Sequence, residues 1–132
     1  MSENWKQISE EEWKKRLSAE QFRVLRKKGT EAPFSGKYND FYENGIYTCA
    51  GCGQKLFSSS SKYDAGTGWP SFWEAISENN IERIPDYSVG MKRIEVICSR
   101  CGGHLGHVFD DGPPPTGEHF CIDSISLNFN PE

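Results

Sequence analysis

The chain opens with two short stretches of helical periodicity and then changes to brief alternating runs separated by turns. Ser9-Glu10-Glu11-Glu12 has the form of a capping box, with Ser9 as N-cap and Glu12 three positions inside. Trp13 and Leu17 follow four residues apart and give a short apolar stripe. Ser18-Ala19-Glu20-Gln21 repeats the capping pattern, Phe22 and Leu25 form the next stripe, and Gly29 stands where a C-terminal cap is expected. Residues 1–8 lack such a signal and are expected to fray. From residue 30 onward the apolar positions alternate, predicting strands over 45–48, 55–57, 81–84, 91–97, 104–109, 119–122 and 126–129. Asp110-Asp111-Gly112-Pro113-Pro114-Pro115 reads as a stiff surface loop. The expectation is one domain over 1–132, mainly antiparallel β with a short N-terminal helical segment.

Composition supports a packed core: four Trp, five Tyr and eight Phe offer large apolar areas to bury. The net charge of −4 lacks the basic surplus with which a nucleic-acid binder displaces counterions, so no nucleic acid is expected as partner. The first residues carry neither the basic nor the apolar region of a signal peptide. No apolar run approaches the roughly 20 residues that cross a bilayer, so no membrane partner is expected either. The protein is expected to be cytoplasmic, where cysteines serve as metal ligands or reactive thiols more often than as disulfides.

Four of the five cysteines form two pairs of equal spacing, Cys49-x-x-Cys52 and Cys98-x-x-Cys101. A two-residue gap lets both thiolates of a tight turn face one ion, and two such turns complete a tetrahedron, the pattern of a structural zinc site. The alternative, a pair of redox dithiols, lacks the β-α setting of thioredoxin-like motifs. The fifth cysteine, Cys121, has no partner in the sequence. One reading is an inert cysteine packed in a strand. The other is a reactive thiol, because His104, His107 and His119 all lie nearby in the sequence, and imidazolium lowers a thiol's pKa. His104 and His107 are oddly spaced and face opposite sides of a regular strand, unless a bulge at Gly106 intervenes. Gly66-Thr67-Gly68-Trp69-Pro70-Ser71-Phe72-Trp73 joins a free backbone to crowded aromatics, either as a core anchor or as an apolar wall for a methyl group.

Taken together, these stretches resemble the B-type methionine sulfoxide reductases. The likeness rests on Lys28-Gly29-Thr30-Glu31, Pro33-Phe34-Ser35-Gly36, both cysteine pairs, Gly68-Trp69-Pro70-Ser71-Phe72, His104-Leu105-Gly106-His107-Val108-Phe109, and Cys121-Ile122-x-Ser124-x-Ser126-Leu127. The resemblance implies two antiparallel sheets in a zinc-stapled, β-tent-like arrangement, with the nucleophile on a strand at the shallow edge of one sheet. It implies Cys121 as nucleophile, His104 and His107 around the sulfoxide oxygen, Trp69 as the wall for the substrate methyl, and Asp111 as a further polar group. It also implies oxidised proteins or peptides as substrate, thioredoxin or another thiol as reductant, and reduction of the R epimer through a sulfenic acid.

Three positions depart from the family pattern. Arg followed by Tyr or Phe commonly precedes the nucleophile, whereas this chain has His119-Phe120, and Asn is usual where Asp123 stands. We expect His119 and Asp123, four apart on one strand face, to pair and replace those two groups. Many relatives carry a resolving cysteine at the position of Thr67, so a cycle with one working cysteine and an external thiol is expected. A monomer is expected. The rival reading is a non-catalytic, zinc-stapled β module for protein binding, which would have no use for Cys121, His104, His107 and Trp69 together.

Overall fold

The computed structural model describes residues 4–131. Helix α1 (Glu10–Arg16) starts as expected, the Ser9 hydroxyl accepting from the Glu12 amide at 3.2 Å. Helix α2 (Ala19–Lys27) carries a complete capping box between Ser18 and Gln21. Its C-terminal cap is Lys28, in the left-handed region at φ 58°, not Gly29. Gly29 sits beyond it because a Cβ there would meet the Arg23 carbonyl oxygen at 3.0 Å. Residues 1–3 of the segment expected to fray lie outside the described residues. Trp5–Gln7 form a 3-10 turn, and the Trp5 ring stacks on Trp13 at 6.2 Å.

Among the described residues nine strands follow, all paired antiparallel. β1 (Gly45–Cys49), β2 (Lys55–Ser58) and β9 (Leu127–Pro131) make a three-stranded sheet in the order β2-β1-β9. The other six, β3 (Lys62–Tyr63), β4 (Ser71–Phe72), β5 (Ile81–Asp86), β6 (Arg93–Cys98), β7 (His104–Phe109) and β8 (His119–Ile122), form a sheet in the order β3-β4-β8-β7-β6-β5. The two-sheet fold with a helical N-terminus therefore agrees with the sequence pattern. β3 and β4 were not foreseen, since two-residue strands carry no periodicity.

Aromatic rings fill the core shared by the sheets. Phe57 of β2 stacks on Phe72 of β4 at 4.5 Å, and Phe57 lies 5.6 Å from Phe120 of β8. Tyr47 of β1 meets Phe72 edge-on at 5.1 Å, and each such pair adds about 1 kcal/mol beyond its buried area. Val96, Leu105 and Ile122 close the apolar layer beneath β6, β7 and β8.

β8 is an interior strand. Ser71 pairs with Cys121 on one flank and His107 pairs with Cys121 on the other. The strand that carries Cys121 is thus not at a sheet edge, because the short β4 covers the flank the sequence left open. Gly106 allows β7 to approach: a Cβ there would lie 2.0 Å from the Cys121 carbonyl oxygen. We predict that Gly106→Ala destabilises the fold by at least about 2 kcal/mol in urea unfolding, because the clash is with backbone that cannot rotate away.

Candidate active site and metal centre

The two cysteine pairs occupy equivalent turns at the tips of the β1–β2 and β6–β7 hairpins. In each, the first cysteine's carbonyl accepts from a glycine four residues on, Gly53 at 2.9 Å and Gly102 at 2.8 Å. Both glycines adopt positive φ, 82° and 77°, as these turns require. Cys49 Sγ lies 3.7 Å from Cys101 Sγ, Cys52 Sγ lies 3.5 Å from Cys98 Sγ, and all four sulfurs fall within 4.8 Å of one another. A tetrahedral ion with metal–sulfur bonds of about 2.3 Å separates its sulfurs by about 3.8 Å, so the cluster fits a four-thiolate metal ion. Amides of Gly51 and Gly103 donate to Cys49 Sγ and Cys101 Sγ at 3.3 and 3.4 Å, further support for anionic sulfur. No histidine takes part in the cluster.

Cys121 faces a separate cavity of about 460 Å³, bounded by Thr67, Trp69, His104, His107, His119 and Asp123 among others. Side chains at 119, 121 and 123 share one face of the chain, as strand alternation requires. Of the two arrangements the histidine spacing left open, β7 adopts the bulge, placed at Leu105 and not at Gly106. Val96 pairs with Gly106, yet Ile97 pairs with His104, so Leu105 is the extra residue. Both imidazoles consequently line the same cavity, with ring centroids 5.6 Å apart.

Each histidine is held by a carboxylate. His104 Nδ1 hydrogen-bonds Glu95 Oε2 at 2.7 Å, and Lys28 Nζ lies 3.2 Å from Glu95 Oε1. His107 Nε2 hydrogen-bonds Asp86 Oδ2 at 2.8 Å, while Arg93 and the Ser88 amide donate to the same carboxylate. That set, His107 foremost, holds Asp86 well below the usual carboxylate range, while burial pushes His107 down. His119 Nδ1 lies 3.2 Å from Asp111 Oδ1 and its Nε2 lies 2.9 Å from Ser71 Oγ.

The expected His119–Asp123 pair is not formed. Asp123 follows the last residue of β8 and turns to the segment after α2, where Thr30 Oγ1 and the Glu31 amide donate to its Oδ1 at 2.7 and 3.2 Å. His119 is held instead by Ser71 and Asp111. Trp69 is anchored by its indole N–H, which donates to the Glu31 carbonyl at 3.1 Å. Gly68 makes this possible at φ 95°, where a Cβ would lie 2.8 Å from the Phe34 amide nitrogen.

The thiol itself departs from expectation. Burial pushes Cys121 up to about 11; the Thr67 hydroxyl hydrogen-bonds it and pulls the other way, while Asp123, Glu31 and Asp111 add repulsion. None of the three imidazoles bonds the thiol; each is hydrogen-bonded to a carboxylate instead. Glu95, Asp86, Ser71 and Thr30 were missed by sequence reasoning. Alternation in β5 and β6 marks Asp86 and Glu95 only as polar strand positions, and nothing local joins them to β7.

A domain model described as the SelR domain matches residues 17–131. The chain is 61% identical over 124 residues to a protein of Methanosarcina barkeri named peptide methionine sulfoxide reductase MsrB, covering 94% of this chain and 87% of that one. It is 58% identical to the protein of the same name from Methanosarcina mazei, over 100% and 94% of the two chains. Among solved structures, the "Yippee-like" domain of Mis18 shares the fold at a TM-score of 0.53 and 16% identity, covering 67% of this chain and 96% of that domain.

The raised Cys121 pKa has a sign that can be measured. At neutral pH the thiol form of Cys121 predominates in the free protein. Alkylation of Cys121 by iodoacetamide should rise steadily with pH and reach its midpoint near 11. Removing a neighbouring negative charge by Asp111→Asn should move that midpoint down. A plateau below neutral pH would contradict the assignment.

Proposed function

The chain belongs to the SelR family of B-type methionine sulfoxide reductases, and on that premise we propose that Cys121 is the thiol with which it reduces the R epimer in proteins and peptides. The observation that carries this reading is the division of the thiols: four converge on one metal-sized sphere, and the fifth faces the histidine-lined cavity.

The chemistry follows from the sulfoxide. Its sulfur is a weak electrophile and its oxygen a poor leaving group, so sulfur attack must be accompanied by proton delivery to oxygen. Attack by Cys121 forms a sulfur–sulfur bond; transfer of the oxygen to Cys121 then releases methionine and leaves a cysteine sulfenic acid. Trp69 offers an apolar face to the substrate methyl. His104 and His107 surround the oxygen, each in a tautomer set by its carboxylate: Nδ1–H on His104 toward Glu95, Nε2–H on His107 toward Asp86. His119, fixed by Ser71 and Asp111, closes the opposite wall.

Recycling needs a second thiol. Thr67 hydrogen-bonds Cys121 and has no sulfur to offer, and the other four cysteines are committed to the cluster. An external thiol, thioredoxin or a small-molecule reductant, therefore attacks the sulfenic acid. Cys49, Cys52, Cys98 and Cys101 would hold one zinc ion, and four thiolate ligands would make its role structural, contributing folding energy. Five unpaired cysteines suit a reducing compartment, so we assign the enzyme to the cytoplasm as a monomer with no nucleic-acid partner. No described helix is long and apolar enough to cross a membrane.

Cys121→Ser is expected to abolish methionine formation from a peptide carrying the R-sulfoxide, with fold and metal content unchanged; residual turnover would refute Cys121 as nucleophile. Metal analysis should find one zinc per chain. Its removal by a strong chelator should lower the thermal midpoint by more than about 10 °C, because binding energy at such a site is folding energy.

A further inference from the structure

A thiol that rests protonated cannot attack until its proton has somewhere to go, and the sulfoxide oxygen needs a proton at nearly the same moment. The hydrogen bonds in the cavity leave few carriers. Both nitrogens of His119 are engaged, by Asp111 and Ser71. The Nε2–H of His107 is committed to Asp86, and the Nδ1–H of His104 to Glu95. Asp123 is different. Its Oδ1 takes two donors, the Thr30 hydroxyl and the Glu31 amide, whereas its Oδ2 makes no hydrogen bond among the described residues and lies 3.7 Å from His104 Nε2. The side chain is 3% exposed, lines the cavity, and stands two residues from Cys121 on the same face.

We propose that Asp123 Oδ2 carries the thiol proton of Cys121 to the sulfoxide oxygen. The proposal rests on Cys121 as the nucleophile. The Sγ–H bond breaks and the proton moves to Oδ2. The sulfur pair attacks the sulfoxide sulfur while Oδ2 returns that proton to the oxygen. The sulfur–oxygen bond then breaks, the hydroxyl ends on Cys121 Sγ, and methionine departs. Cys121 sulfur gives up two electrons, the methionine sulfur gains two, and Asp123 ends as it began, a carboxylate.

The surroundings favour a carboxyl that exchanges protons readily. Burial pushes Asp123 up, against the Thr30 and Glu31 hydrogen bonds and the positive charge of Arg23. The groups facing it are His104 and His107 from β7, Arg23 from α2, Glu31 from the following loop, and Cys121 from its own strand. Asparagine at this position would keep the shape and the Thr30 contact but could carry no proton.

The test compares wild type with Asp123→Asn in a single turnover on an R-sulfoxide peptide without reductant, alongside iodoacetamide alkylation of Cys121 in the same buffers. Asp123→Asn should leave alkylation equal or faster, since a neighbouring negative charge is gone. Methionine formation should fall about 10²- to 10⁴-fold, the range of a lost proton-transfer group. Turnover within about threefold of wild type would overturn the proposal, because it falls below the loss expected for such a group. So would a parallel fall in alkylation and turnover, which would mean that Asp123 acts only by shaping the thiol. Cys121→Ser measured in parallel separates the two claims: a dead Cys121→Ser with a normal Asp123→Asn defeats the proton carrier and leaves the nucleophile standing.

Discussion

Four sulfurs within 4.8 Å of one another tie together the tips of two hairpins that belong to different sheets. Everything at the candidate site is phased from that junction. Cys98 ends β6, and β7 begins three residues after Cys101, so the turn geometry decides where His104 enters the sheet. The bulge at Leu105 then turns His104 to the side that His107 already faces. Arg26 reinforces the junction from α2, donating to the Cys101 carbonyl at 2.9 Å with its guanidinium 4.8 Å over the Trp13 ring. The helices thus brace the four-cysteine cluster, and the cluster registers the strand that carries His104 and His107.

The cavity is built from pairs of histidine and carboxylate, each on a different pair of elements. Glu95 and His104 join β6 to β7, Asp86 and His107 join β5 to β7, and His119 of β8 reaches Asp111 in the loop after β7. Such pairing fixes tautomers and ring orientation before substrate arrives, which lowers the reorganisation left for the reaction itself. A buried thiol kept protonated reacts slowly with stray electrophiles and oxidants, because the thiolate is the reactive form.

Much of this was legible in the sequence. Capping boxes gave both helix starts, alternation located seven strands, and the spacing of four cysteines foretold their convergence. The His104–His107 interval already required either opposite faces or a bulge. What stayed hidden depended on contacts between distant segments. Ser71–Phe72 are too few residues to show a period, so β8 could not be recognised as an interior strand. The partner of Asp123 lies 93 positions away at Thr30, and the same-face spacing of His119 and Asp123 suggested a pair that the end of β8 prevents. The raised thiol pKa was invisible for the same reason, since burial and three surrounding carboxylates are properties of the folded cavity.

The central claim is that one cysteine performs the reduction and waits, without an internal partner, for an outside thiol. Mass spectrometry of the enzyme after one turnover without reductant, with a dimedone-type trap present, tests it most directly. The account predicts a single trapped sulfenic acid on Cys121, with Cys49, Cys52, Cys98 and Cys101 still reduced and still holding metal. A disulfide between Cys121 and any of those four, accompanied by metal release, would contradict it.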